Sequence, residues 1–564
     1  MGKRILIVGG VAGGASVAAR VRRLDEEAEI IMFEKGPHVS FSNCALPYHL
    51  SGEIEDSNKL ILMNPAKFDK RYHIEARTNS EVMTINRTKK TITVKNVQTE
   101  ETYEEGYDYL VLSPGASPIV PPLKGVDSQH VFTVRNVVDI DKLNQFVQQQ
   151  HIENIAVIGG GFIGLEVAEN LAYAGKNVSL VEAQNQVMAP FDSDMVQILH
   201  KELIDKGINL VLNDGITQVE ESQIVLASGT KVAADAVVMA IGVRPETNLA
   251  KEADLAIGKT GGIKVDHNYR TTDPAIYAVG DAIEVHHKIT GAKTRLALAG
   301  PAQRQARAAA DHMYRIPHRN TGVIGSSGIK IFDLNAASTG INEKQAKAAN
   351  IDYDFVYIIP TDKVGIMPES NVVHFKLLFE IPTGRILGAQ AIGKGNVDKR
   401  IDVIATMIMM NGTVEDLKEL ELVYSPIFGT AKDVVNQAAL VALNILNGAI
   451  KQVKVSEVRE LVESNAFIVD VREKKEYEAG HVKNAKNIPL SEFRERLDEI
   501  PTDQPVYVHC RSGQRSYNAV ASLGNAGYEH VYNISGSFLG ISLFEYVNDK
   551  KQAREPIVTK YNFK

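Results

Sequence analysis

The chain holds two cysteines, Cys44 and Cys510, and each sits among residues suited to sulfur chemistry. Residues 39–48 read Val-Ser-Phe-Ser-Asn-Cys-Ala-Leu-Pro-Tyr, so Tyr48 stands where a second cysteine would complete a Cys-x-x-x-x-Cys pair. No internal disulfide can close there. A lone thiolate beside Asn43 must cycle through a mixed disulfide with its substrate or through a sulfenic acid. Cys510 ends the apolar run 505–510 and opens Cys-Arg-Ser-Gly-Gln-Arg-Ser at 510–516, a turn entering a helix. A cysteine at that junction lies in a cradle of backbone N–H groups, and Arg515 adds a fixed positive charge. Such a site stabilises a thiolate or a persulfide. The plainer reading of two scattered cysteines is a pair of buried, inert side chains. Both local sequences argue against it.

The elements that must position these thiols begin at the N-terminus. The apolar strand 4–8 runs into Gly9, Gly10, Val11, Ala12, Gly13 and Gly14, and an alanine-rich helix follows. This is the strand–turn–helix of a dinucleotide phosphate site: Gly9 allows the tight turn, Gly14 allows close helix–strand packing, and the helix N-terminus faces the pyrophosphate. The next strand ends in Glu34, followed by Lys35, where an acid should meet the ribose hydroxyls. Val11 departs from the fingerprint by standing in place of its second glycine. A second copy is complete: the strand 155–158, then Gly159, Gly160, Gly161, Phe162, Ile163 and Gly164, then a helix and a strand closing on Glu182. Two such units imply two dinucleotides, which suits FAD plus NADH. Glu182 favours NADH because a carboxylate accepts hydrogen bonds from a ribose diol and repels a 2′-phosphate. Apolar strands also run into Ser113, Pro114 and Gly115, into Gly242, and into Gly280 and Asp281; Ala299 and Pro301 open a further helix.

Length and composition frame these sites. At 564 residues the chain exceeds one core, and at about 150 residues per domain it suggests three or four. The net charge of −7 with no basic stripe excludes an ordinary nucleic-acid binder. No apolar run approaches the roughly 20 residues of a membrane span, and no secretory segment opens the chain. A cytoplasmic protein with no membrane partner is the expectation.

Taken together, these motifs resemble the pyridine nucleotide–disulfide reductase family, over about residues 1–447. The fold class implied is α/β: two Rossmann-like dinucleotide-binding domains, an α+β dimerisation domain, and a separate C-terminal α/β domain. The resemblance places an FAD-binding domain at 1–115 and 250–320, an NADH-binding domain at 116–249, and a dimerisation domain at 321–447 of a homodimer. It implies that Asp281 binds the ribityl chain, that the helix opening near Ala299 faces the flavin with its positive end, and that Phe162 covers the nicotinamide side. The run Ser-Phe-x-Asn-Cys-x-Leu-Pro-Tyr is similar to coenzyme A-disulfide reductases, which implies a disulfide or persulfide substrate and a Cys44 thiolate whose pKa is depressed by its surroundings. Those enzymes place two tyrosines over the cysteine. Tyr424 resembles one, whereas Ile366 and Met367 stand near the other, so symmetrical coenzyme A disulfide need not be the preferred substrate. Ser40, Arg20, Arg23, Lys70 and Arg71 are candidates to hold coenzyme A, with a solvated basic face as the alternative.

Residues 448–454 read as a linker and 548–564 as a tail. Between them, 455–547 resemble a rhodanese domain, with Cys510 as sulfur carrier and Arg515 closing a six-residue loop. A docking module is the alternative there. For the whole chain two rival functions stay open: an NADH oxidase reducing oxygen, and a sulfur carrier or redox sensor whose flavin half resets Cys510. No metal site is expected. If Glu182 sets the nicotinamide preference, Glu182→Ala relaxes discrimination against NADPH by about 1–2 kcal/mol, the worth of one charge-assisted hydrogen bond. The ratio of kcat/KM for the two cofactors measures it, and an unchanged ratio counts against the assignment.

Overall fold

The computed structural model describes residues 2–563, which divide into two compact units: residues up to 185 with 211–323, and residues 186–210 with those from 324 onward. In the first unit a parallel sheet runs in the order Ile276–Ala278, Tyr109–Leu112, Arg4–Val8, Glu29–Phe33, Glu75–Arg77. Its strands read as unbroken apolar runs because both faces are covered. Leu6 points into one core with Leu110, Leu112 and Ile276, while Ile5 and Ile7 point into the other with Val17, Val21 and Ala306. That second core is closed by the helices Ala12–Leu24 and Ala299–Met313, whose small residues let them lie close together.

Register decides where the chemistry can be. Val8 pairs with Phe33 and with Leu112, and Leu112 pairs with Ala278. The four strands therefore end on one line, and the residues that follow them, Gly9, Glu34, Ser113 and Gly280, gather at one sheet edge. The second glycine turn repeats the design. Asn177–Glu182, Asn154–Ile158, Ala236–Met239 and Val131–Phe132 lie parallel in that order, with Val181, Ile158 and Met239 in register. Gly159, Glu182 and Gly242 leave from the same edge.

The second unit holds two further sheets. One is antiparallel, in the order Ser327–Ile331, Leu334–Gly340, Ile386–Gly393, Val373–Glu380, Tyr353–Ile358, and is covered by the helices Val397–Met409 and Val434–Leu446. The other is parallel, in the order Lys451–Val453, Val531–Ile534, Val506–His509, Phe467–Asp470, Lys486–Asn487. Its first strand lies inside the segment read as a linker, so residues 451–453 are part of the sheet. Gln452 also donates to Asp354 and to the Phe355 carbonyl at 3.0 and 2.7 Å. Gly536 sits so close to Tyr357 that a Cβ there would lie 2.7 Å from the ring. The tail is likewise built in. The helix Ser537–Gln552 packs on Ser193–Asp205, Lys551 donates to the Leu210 carbonyl at 3.1 Å, and Lys201 lies 4.4 Å from the Phe563 ring.

One polar cluster fastens this unit. Lys376 is fully buried in the otherwise apolar strand Val373–Glu380. Its ammonium donates to Asp194 at 2.8 and 2.9 Å and to Glu343 at 2.6 Å, and lies 3.2 Å from Asp192. Lys454, next to the strand at 451–453, also binds Glu343. Burial opposes ionisation of Glu343, but the two ammoniums offset it and hold the carboxyl down at about 2. Without Lys376, Asp192 and Asp194 would be left buried with no cation beside them, Lys454 reaching only Glu343. Lys376→Met is therefore expected to cost about 3–5 kcal/mol, read as a clear fall in the midpoint of thermal unfolding. A midpoint within a degree or two of the parent chain would show the cluster to be dispensable.

Candidate active site

The two glycine turns have the same construction. Gly9 has φ +92° and Gly159 φ +110°, a left-handed conformation that side chains avoid. A Cβ on Gly14 would lie 1.8 Å from the Gly9 carbonyl oxygen, and one on Gly164 would lie 1.9 Å from that of Gly159. Each acid then locks its turn. Glu34 accepts from the Gly10 and Gly36 amides at 3.0 and 2.9 Å, and Glu182 from the Gly160 and Gln184 amides at 2.7 and 2.8 Å. Val11 occupies the N-cap of its helix with no side-chain cap, and Ala12 begins the helix, so the missing glycine leaves the turn intact. A Cβ on Gly13 would meet the Ser113 hydroxyl at 2.5 Å, which places Ser113 against the turn; Pro114 and Gly115 carry the chain away. Lys35 pairs with Glu81 at 2.7 Å on the surface.

The remaining cradle residues converge on the same edge. Gly280 donates to Gln305 at 2.8 Å, and Asp281 lies 3.5 Å from Arg135. Burial pushes the Asp281 carboxyl up, opposed by Arg135. The helix opened by Ala299 and Pro301 has no side-chain cap, and a Cβ on Gly300 would meet no atom within 4 Å. The same openness holds at Gly161, beside Phe162 and the exposed Ile163. Two glycine turns, each locked by an acid, with open space at Gly161 and at the uncapped helix N-terminus by Gly300, fit two dinucleotides of the flavin and nicotinamide type.

Cys44 lies in the 3₁₀ segment Asn43–His49, which packs against the helix Phe162–Tyr173. Ser51 donates to Asn170 of that helix at 2.7 Å, and His49 is 3.1 Å from Asn144. These bonds fix the segment. Cys44 is exposed, and the Oδ1 of Asn43 is buried with no hydrogen-bond partner among the described residues. The Cys44 thiol is pushed up by desolvation, then by Glu166 and Asp281. The depressed thiol expected from the sequence is thus corrected: this chain's own groups at Cys44 are carboxylates. Glu166 is itself raised to about 7 by burial and by Glu169. The sequence reading missed it, although it lies one turn after Phe162, on the same helix face. Arg135 was missed as well, and no local pattern marks it.

Other candidates are placed as follows. Ser40 is tied to the first turn, its amide donating to the Gly10 carbonyl at 2.8 Å. Arg20 is paired with Asp311 at 2.5 Å; Arg23, Lys70 and Arg71 are exposed. In the second unit Tyr424 is 47% exposed, beside Val423 at 94% and Phe428 at 68%, and Ile366 is exposed too, while Met367 is partly covered. Cys510 is buried, 1% exposed, and its sulfur accepts from the Gly513 amide at 3.1 Å. The N-terminus of Ser537–Gln552 holds the loop, with Phe538 and Leu539 amides on the Cys510 and Arg511 carbonyls. Arg515, read from the sequence as a fixed positive charge, makes a two-pronged pair with Glu476 at 2.6 and 2.8 Å.

A site of this kind, one thiol beside two dinucleotide cradles, defines a two-electron thiol oxidoreductase. Comparison with known proteins gives the family. The profile of the pyridine nucleotide-disulphide oxidoreductases matches residues 3–306, that of their dimerisation domain matches 326–434, and that of the rhodanese-like domain matches 454–543. A coenzyme A disulfide reductase of Staphylococcus epidermidis is 36% identical over 434 residues, 77% of this chain and 98% of that protein. The crystal structure of reduced Bacillus anthracis CoADR-RHD superposes with a TM-score of 0.95 at 44% identity, covering 97% of this chain and 99% of the other. An NAD-dependent persulfide reductase from A. fulgidus gives 0.91 at 34% identity, covering 96% and 99%. The chain belongs to the pyridine nucleotide-disulphide oxidoreductase family, with a rhodanese domain at its C-terminal end. Among the described residues no helix is long and apolar enough to cross a membrane.

The electrostatics of Cys44 give a direct test. Removing a negative charge beside a thiol lowers its pKa, so Glu166→Gln should move the pH–rate profile for alkylation of Cys44 to lower pH and raise the rate severalfold at a pH below the parent inflection. An unmoved inflection would separate Glu166 from the thiol.

Proposed function

We propose that the protein is an FAD-dependent, NADH-linked reductase of coenzyme A disulfide, coenzyme A persulfide or a related polysulfide, working through Cys44. Cys510 handles sulfane sulfur. The observation that carries this reading is the position of Cys44: the charges that act on it come from Glu166, on the helix of the second glycine turn, and from Asp281, at the edge that completes the first. A lone thiol is thereby set between the two cradles. FAD held by Gly9–Gly14, Glu34, Ser113 and Asp281, with NADH held by Gly159–Gly164 and Glu182, would supply two-electron transfer at this place.

The chain's own groups do the rest. The Cys44 thiolate attacks one sulfur of the substrate, the S–S bond breaks, and thiolate or hydrosulfide leaves with the bonding pair. Cys44 is left in a mixed disulfide. Two electrons from NADH and one proton cleave that bond, restore the thiolate and free the second thiol. Glu166, with a proton affinity near neutrality, is suited to hold a proton beside the thiol. Asn43 offers an unpartnered carbonyl oxygen next to it. Coenzyme A is held partly by Ser40, Arg23, Lys70 and Arg71. The apolar surface at Val423, Tyr424, Ile427 and Phe428 meets a second copy in a homodimer, and the protein works in the cytoplasm. Relatives that span both parts of the chain carry the names of disulfide and persulfide reductases, which does not favour oxygen as the substrate.

In purified holoprotein, Cys44→Ser should abolish NADH-dependent release of thiol or sulfide while leaving bleaching of the flavin by NADH intact in a stopped-flow experiment. Retained turnover would overturn the role of Cys44. Tyr424→Phe should slow the sulfur step without affecting bleaching, since it removes a hydroxyl able to protonate a leaving thiolate.

A further inference from the structure

The mouth around Cys510 is charge-balanced in a way the sequence does not show. Arg511 and Arg515 bring two cations from the loop and the helix Gln514–Asn525. From the facing element, Glu476 grips Arg515 with both carboxylate oxygens, and Glu473 lies near enough to act on the same guanidinium. Arg472, the other cation close by, is buried against Asp470, donates to the Gly480 carbonyl and covers the Phe538 ring at 3.9 Å. His509 is fully buried, and burial favours its neutral form. Two cations therefore face two carboxylates, and attraction for an anion is left to the backbone N–H groups of the loop.

We infer that Glu476 is a specificity-determining residue that sets the charge of this mouth and so selects the sulfur donor, favouring donors of low charge over dianionic thiosulfate. The inference rests on the reading of Cys510 as a sulfur-accepting cysteine. With thiosulfate, the Cys510 thiolate attacks the outer sulfur, the S–S bond of thiosulfate breaks, and sulfite leaves as a dianion with the bonding pair. A cysteine persulfide remains, and no outside oxidant or reductant is needed. A neutral or singly charged donor undergoes the same exchange with less charge to accommodate.

Two donors of the same chemistry and different charge test this in the full-length protein: thiosulfate, a dianion, and methanethiosulfonate, a monoanion. The second-order rate of sulfur loading is followed by release of sulfite or methanesulfinate and by the mass gain of one sulfur atom on Cys510. Coulomb work scales with ligand charge, so Glu476→Gln should raise the rate about tenfold for thiosulfate and only about threefold for methanethiosulfonate, with both gains shrinking as salt is added. Glu476→Asp, which keeps the charge, should keep the parent discrimination. Equal changes for the two donors, no change, or an Asp variant that behaves like Gln would each overturn the inference while leaving Cys510 a sulfur acceptor. If Cys510 gains sulfur from neither donor in any version, the sulfur-accepting role itself falls, and the inference with it.

Discussion

The constraint on which the first unit depends is the parallel register that ends four strands on one line. Because Val8, Phe33, Leu112 and Ala278 are level, the glycine turn, the acid, Ser113 and the Gly280–Asp281 pair leave the sheet together. A one-residue slip would turn each strand's side chains to the opposite face. It would put Leu6 where Ile5 and Ile7 now pack, and carry Glu34 away from the Gly10 amide. Position and core are thus specified by the same alternation, and neither can be changed alone.

The two cysteines are prepared in opposite ways. Cys44 is exposed, on a short segment held by side-chain bonds to neighbouring helices, with carboxylates as its charged neighbours. Cys510 is buried at a strand end, with a backbone amide on its sulfur and a helix N-terminus behind its loop. The first arrangement pushes the thiol up, by desolvation and then by the nearby carboxylates. The second presents donors to whatever negative charge the sulfur carries. One chain therefore holds two thiols in different surroundings: carboxylates face the exposed Cys44, and a backbone amide meets the buried sulfur of Cys510.

What the sequence disclosed was chemistry set by neighbours in the chain. Gly9–Gly14, Gly159–Gly164, the strand-ending acids and the loop after Cys510 all depend on spacing within a few residues, and spacing survives in a linear string. What stayed hidden depends on contacts between distant segments. Glu166 and Asp281 act on Cys44 across the fold, Arg135 meets Asp281 from the bend before the helix Val137–Val147, and Glu476 neutralises Arg515 from another helix. The strand at 451–453 escaped because Lys-Gln-Val has little apolar content, as suits a short edge strand. Lys376 did leave a trace: a lysine in the apolar run 373–379 signals a buried cation with partners, though not which carboxylates they are.

The packing of Ser537–Gln552 against Ser193–Asp205 bears on how the protein is made. The earlier helix carries an almost continuous buried face, Met195 to Leu199 and Leu203 among it, and part of its cover is supplied by the last segment of the chain. During synthesis from the N-terminus, more than half of the polypeptide emerges before that cover exists. Residues 186–210 must therefore wait, with apolar surface and two carboxylates unpaired, for Lys376 and then for the C-terminal helix. The C-terminal helix is in this sense a late-arriving part of the scaffold of the second unit. A nascent chain stalled before its last helix would present an adhesive surface to chaperones and proteases.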